Sequence, residues 1–223
     1  MNTVQVNNVQ VEGETMIDDH RPRTWVLDAT DIARVAVFVA LMAALGLPGA
    51  FSVFGSVPIT AQTFGVMLAG AILGPRLGAL CMIVFLALVA VGLPLLAGGR
   101  GGVSWFVAPS AGYLFGWIAG ALVVGLIVHA SARKPAVWRI AIGMVVGGIL
   151  VVYAVGIPVR SLIEGLSLGQ IALLNLVFVP MDLVKAALAT MTIATLLRAY
   201  PRAFRRTWLS PREPNPVSVT AAQ

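Results

Sequence analysis

Asp182 and Lys185 are the only ionisable side chains between Ile171 and Leu197, in a run rich in Leu, Val, Ala, Ile and Thr. Three residues apart on a helix, they share one face. A charge at bilayer depth costs roughly 2.5 to 3.5 kcal/mol on insertion scales, so such a residue faces a protein interior or cavity and marks a functional site by default. The pair offers recognition chemistry, a carboxylate that accepts hydrogen bonds beside an ammonium that donates them. The alternative is a self-neutralising pair that only fixes helix packing.

Other polar groups fall in the connections. Gln62 carries an amide about one turn into an apolar run, suited to a neutral hydrogen-bonding ligand or to capping a neighbouring helix. Gly98, Gly99, Gly101 and Gly102 surround Arg100. Glycine disfavours helix by about 0.8 to 1.0 kcal/mol against Ala, so this stretch reads as a loop whose backbone approaches a ligand closely. It lacks the Gly-Lys-Ser/Thr ending and the preceding strand of a phosphate loop. A lid reading fits better, with Arg100 for a ligand carboxylate and Trp105 or Phe106 for an apolar body. Tyr113 either contacts ligand or anchors the interface, and Asn175 lies in the last connection.

The elements that must position these groups are membrane helices. The chain has 223 residues, 59% hydrophobic and only 11% charged, against about 25% charged in soluble domains. Six apolar runs follow: Ala33 to Leu47, Ile59 to Leu73, Leu77 to Leu93, Pro109 to Val128, Val137 to Val155, and a last one ending near Leu197. The expected fold is an all-α integral membrane protein of six transmembrane helices. The expected organisation is a polar tail over 1–30, a membrane domain over 31–200, and a basic, Pro-rich cytoplasmic tail over 201–223. Several runs are short against the ~20 residues that span ~30 Å of hydrocarbon.

Arg76, Arg133, Lys134, Arg139, Arg198 and the tail arginines lie on one side of the runs and only Arg100 and Arg160 on the other, which places both termini in the cytoplasm. The net charge of +6 is spread between apolar runs, so it signals topology, with anionic headgroups as the contact of the basic tail, and not nucleic acid. Lone Cys81 and the isolated His20 and His129 predict no disulfide and no metal site. Residues 1–30 hold no signal-peptide core.

The last helix is expected to begin near Pro180, because a start at Gly169 would put that proline mid-helix. From Pro180 to Arg198 is about 28 Å at 1.5 Å per residue, close to one hydrocarbon thickness. Asp182 then lies in the first outer turn, favoured by the helix dipole, and Lys185 one turn deeper. The connection from Gly156 to Val179 reads as long, with Glu164 on a loop. Ala36, Ala40 and Ala44 form a small-residue stripe that serves either internal packing or a partner, while Gly112, Gly116 and Gly120 form a tight packing face. No Ser/His pair, second catalytic carboxylate or nucleotide motif accompanies Asp182, so an enzyme is not expected.

The residues resemble a family, BioY, the biotin-binding S component of energy-coupling-factor vitamin transporters. The likeness spans roughly Ala33 to Leu197. It rests on Val57-Pro58-Ile59-Thr60 with Gln62, Leu73-Gly74-Pro75-Arg76-Leu77-Gly78, Gly92-Leu93-Pro94, the Gly98 to Gly102 loop, Pro109-Ser110-Ala111-Gly112-Tyr113 and Pro180-Met181-Asp182-Leu183-Val184-Lys185. Ala61, Ser110 and the long N-terminal tail depart from the family pattern, and none removes a ligand-type residue.

The resemblance implies a prokaryotic cell-membrane protein with a biotin pocket open to the outside. In that pocket Asp182 would accept from the ureido N–H groups, Lys185 would donate to the ureido oxygen, Gln62 or Asn175 would complete the set, and Arg100 would meet the carboxylate. The stripe of Ala36, Ala40 and Ala44 would dock on a transmembrane coupling subunit. Two partner ATPases would supply energy, with no cofactor in this chain. Another vitamin, transport by this chain alone, and homo-oligomerisation are left open.

Overall fold

A computed structural model describes residues 27–49, 57, 59–130 and 135–199. Pro58 and the segments 1–26, 50–56, 131–134 (with Arg133 and Lys134) and 200–223 lie outside the described residues.

The described chain is helical: α1 Ala29–Ala44, α2 Gln62–Leu73, α3 Pro75–Ala90, α4 Ala111–Val128, α5 Val137–Glu164, α6 Leu168–Asn175 and α7 Val179–Ala199. A short 3-10 turn, Val103–Phe106, lies between α3 and α4. Three helices, α4, α5 and α7, are long and apolar enough to cross a membrane, and α2 and α3 are shorter apolar helices. Gly74 ends α2, and Pro75 opens α3 at a first-turn position where its missing N–H is no loss. The first helix begins at Ala29, inside the stretch read as tail.

The long Gly156 to Val179 connection is a correction. Its first part continues α5 to Glu164, and most of the remainder is α6. Within that continuation Gly156 is the close-contact face toward Tyr113 and Pro158 is exposed. Arg160 and Glu164, one turn apart, pair at 3.0 Å. Arg160 is therefore a buried helical residue and not a loop charge, and Glu164 is not loop-borne. The helix ends where Gly165 adopts a left-handed φ of 70°, and Ser167 with Gln170 forms a capping box that starts α6.

Helix α4 is central, packing on α2, α3 and α5, while α7 lies on α2 and the first half of α5. The row expected on α4 is the seam with α5. A Cβ at Gly112, Gly116 or Gly120 would meet Val159, Val152 or the Gly147 carbonyl. Along α4 this row continues to Val124 and Val128 at intervals of four, but its partners on α5 are Gly143, Gly147, Val152 and Gly156. The extra residue between Gly147 and Val152 is absorbed by a π turn over Val146–Val151. Such wide turns, with i→i+5 bonding, insert one residue without breaking the helix. Both halves of α5 thereby keep the same side against α4.

Candidate functional site

Asp182 sits in the first turn of α7 and is 6% exposed. Its Oδ1 accepts from the Lys185 ammonium at 2.9 Å and its Oδ2 from the Tyr153 hydroxyl at 2.6 Å. Lys185 Nζ also donates to Thr63 Oγ1 at 2.9 Å. The two charges identified from sequence thus form a four-residue network reaching α2 and α5. Breaking such a buried pair by removing one partner is far more costly than its net contribution, because the other charge is left unmatched.

Above this network the chain folds over itself. Leu96 and Arg100 exchange backbone hydrogen bonds of 2.9 and 3.1 Å, and the turn between them uses Gly98 and Gly99 at φ of 80° and 69°. The loop is held from below by Gln62, which is 1% exposed. Its Nε2 donates to Met42 O at 3.2 Å and Leu95 O at 2.9 Å, and its Oε1 accepts from the Ala97 N–H at 3.1 Å. Met42 O is one of the last carbonyls of α1, so this amide binds helix end to loop. Arg100 Nε donates to Ala97 O at 2.7 Å, and the guanidinium lies 4.5 Å from the Trp105 ring centroid. Partial burial lowers the Arg100 pKa from its usual value, which makes a negative partner more favourable.

The opposite wall is α4 and α6. Tyr113 OH donates to Asn175 Oδ1 at 2.8 Å, and Asn175 Nδ2 donates to Ile171 O at 3.0 Å. The Tyr113 and Tyr153 rings meet edge to face at 6.4 Å and 84°.

These parts enclose a cavity of about 710 Å³, open mouth included. Gln62, Arg100, Tyr113, Asn175, Asp182 and Lys185 all line it. Gly98, Gly99, Gly101 and Gly102 do not: they shape the turn that presents Arg100, and Gly101 packs its backbone on Leu93. Ala36, Ala40 and Ala44 lie elsewhere, exposed along one face of α1. Sequence reasoning missed Tyr153, Thr63 and Trp117, which also line the cavity. Tyr153 carried a signal, as the single hydroxyl between Val137 and Val155.

The charged lining is Arg100, Asp182 and Lys185, one positive charge in excess. Asp182 and Lys185 compensate each other, and no ion pair to a carboxylate is present at Arg100 among the described residues. The cavity suits a compact ligand that offers hydrogen-bonding groups to the Asp182–Lys185 pair and a negative charge to Arg100. No group of three metal-ligating side chains occurs among the described residues.

A family model described as the BioY family matches residues 17–202. A probable biotin transporter BioY of Bacillus subtilis is 43% identical over 175 residues, 78% of this chain and 94% of its own length. The biotin transporter BioY of Rhizobium etli is 39% identical over 181 residues, 78% and 97% of the two chains. The crystal structure of an S-component for biotin from an ECF-type ABC transporter aligns with TM-score 0.70 at 33% identity, covering 76% of this chain and 91% of that one.

Proposed function

This chain belongs to the BioY family, and from that premise we propose that it is the biotin-capturing membrane subunit of an uptake transporter. The observation that carries the reading is the charge pattern of the cavity: a neutralised Asp182–Lys185 pair at one position and, at another, an Arg100 with no acidic partner among the described residues. Biotin has the complementary pattern. Its ureido ring is neutral, with two N–H donors and a strong acceptor, and its apolar ring and chain end in a carboxylate.

In this reading Asp182 accepts from the ureido N–H groups and Lys185 uses its remaining hydrogen on the ureido oxygen. Arg100, stacked on Trp105, holds the carboxylate with its free guanidinium nitrogens. Tyr113 and Asn175 form the wall, and Gln62 holds the loop over the ligand while its own amide is engaged by backbone.

Six helices, α1 to α5 and α7, cross the cell membrane with both termini cytoplasmic and the cavity open outward. The exposed face of Ala36, Ala40 and Ala44 lets a coupling subunit approach closely. ATP is hydrolysed by partner subunits of that module and not by this chain. Labelled biotin in equilibrium dialysis with the purified chain tests the substrate, with riboflavin and thiamine as competitors. Biotin is expected to bind one per chain and neither competitor to displace it; displacement by another vitamin would reassign the ligand. Uptake by cells expressing this chain alone would remove the need for the coupling module.

A further inference from the structure

We propose that Tyr153 is a positioning residue of the site: its hydroxyl fixes the plane of the Asp182 carboxylate so that the carboxylate meets the ring N–H groups of the ligand. This rests on the biotin reading above. Three observations converge on it. The Tyr153 to Asp182 bond, at 2.6 Å, has the length of a charge-assisted O–H···O⁻ contact. It falls on Oδ2 while Lys185 occupies Oδ1, so the two oxygens are held from different helices and the carboxylate cannot rotate about its own bond. Both Tyr153 and Asp182 line the cavity.

The backbone supplies the reason Tyr153 is there. Between Gly147 and Val152 the α5 register runs five residues where α4 runs four, and the π turn over Val146–Val151 takes up the difference. An unbroken α-helix continued from Gly147 would rotate everything beyond it by about 100° relative to α4. Val152 would leave Gly116, and Tyr153, the next residue, would turn away from Asp182. The wide turn is thus a register device that delivers a hydroxyl to the pair. Gly148, within that turn, packs against the Met67 side chain, which a Cβ there would displace.

Calorimetric titration of the purified full-length chain in detergent tests this, using biotin, biotin carboxamide as a tail-modified control, and a biotin methylated on one ureido nitrogen. In Tyr153→Phe, biotin and its carboxamide are expected to weaken by the same factor, about tenfold or more. The ring-methylated analogue is expected to weaken less, so the preference for the unmodified ring falls. In an Asp182→Asn background the same substitution should change little.

Equal weakening of all three ligands, unchanged biotin binding, or a full loss that persists beside Asp182→Asn would each overturn the positioning role. A parent chain that does not bind biotin defeats the functional reading and this inference together, whereas a binding parent with an indifferent Tyr153→Phe defeats this inference alone. If Tyr153→Phe is not monodisperse, 4-aminophenylalanine at 153 retains a donor at the same ring position. That variant is expected to keep the ring preference, and its loss in the folded protein would contradict the proposal.

Discussion

The two halves of α7 lie in opposite surroundings. Its first turns carry Asp182 and Lys185 into a network with Tyr153 and Thr63. Its later turns carry Ala186, Ala189, Ile193 and Leu197 into a cluster with Met67, Val124, Ile140 and Met144 that has no polar member. Thr190, buried near that cluster, donates to the Ala186 carbonyl of its own helix. The difference teaches that, among the described residues, the charged pair and the cavity it lines lie at one end of α7, while its later turns serve apolar packing. A polar solute in the far half would find apolar packing and no hydrogen-bonding side chain from this cluster, and the desolvation of each unmatched polar group would oppose it. On the proposed reading, biotin is therefore captured at the end that holds Asp182 and Lys185.

Substitutions on either side of this divide should separate cleanly. The largest effect is expected from Asp182→Ala, which leaves the Lys185 ammonium buried without its carboxylate. Loss of one partner from a buried pair costs about 3–5 kcal/mol, so biotin binding should be abolished and the melting temperature in detergent should fall, both measurable on one preparation. Next is Gln62→Ala. It strips partners from Met42 O, Leu95 O and the Ala97 N–H. Each buried group left unmatched costs about 1–3 kcal/mol, so the loop should loosen and biotin dissociate faster in a chase experiment, although the amide itself need not touch ligand.

Arg100→Gln should weaken biotin about tenfold or more through the lost charge-assisted contact, while biotin carboxamide, which has no anion, should bind the variant and the parent alike. The smallest effect is expected from Ile193→Val in the far half. It removes one methyl group, for about 0.5–1.5 kcal/mol of stability, and should leave the biotin affinity unchanged. A far-half substitution that weakened binding as much as Arg100→Gln would erase the contrast between the ends.

Much of the site end was legible from residue type. Two charges in an apolar run had to meet each other, and Pro180 placed the start of their helix within one residue of Val179. The packing row of Gly112, Gly116 and Gly120 was also legible, because small residues at intervals of four have few other uses in a membrane helix. What could not be read was register and satisfaction. Gln62 reads equally as a ligand contact or a helix cap and Asn175 as part of the ligand set, because an amide does not announce whether backbone carbonyls will engage it.

The five-residue step in α5 left no local trace either, since Val146 to Val151 is as apolar as its neighbours and the mismatch exists only against α4. Arg160 resembled a loop charge because its partner, Glu164, neutralises it only if the helix continues. The glycines around Arg100 were read as ligand-approaching backbone, whereas two of them serve a left-handed turn and none lines the cavity.

The most direct test is an experimental structure of the chain with biotin bound. The account predicts the ureido ring within hydrogen-bonding distance, about 2.7–3.2 Å, of Asp182 and Lys185, and the carboxylate at Arg100. Biotin resting in the far half of the bundle, or bound at the site end with no polar contact to Asp182 or Lys185, would contradict it.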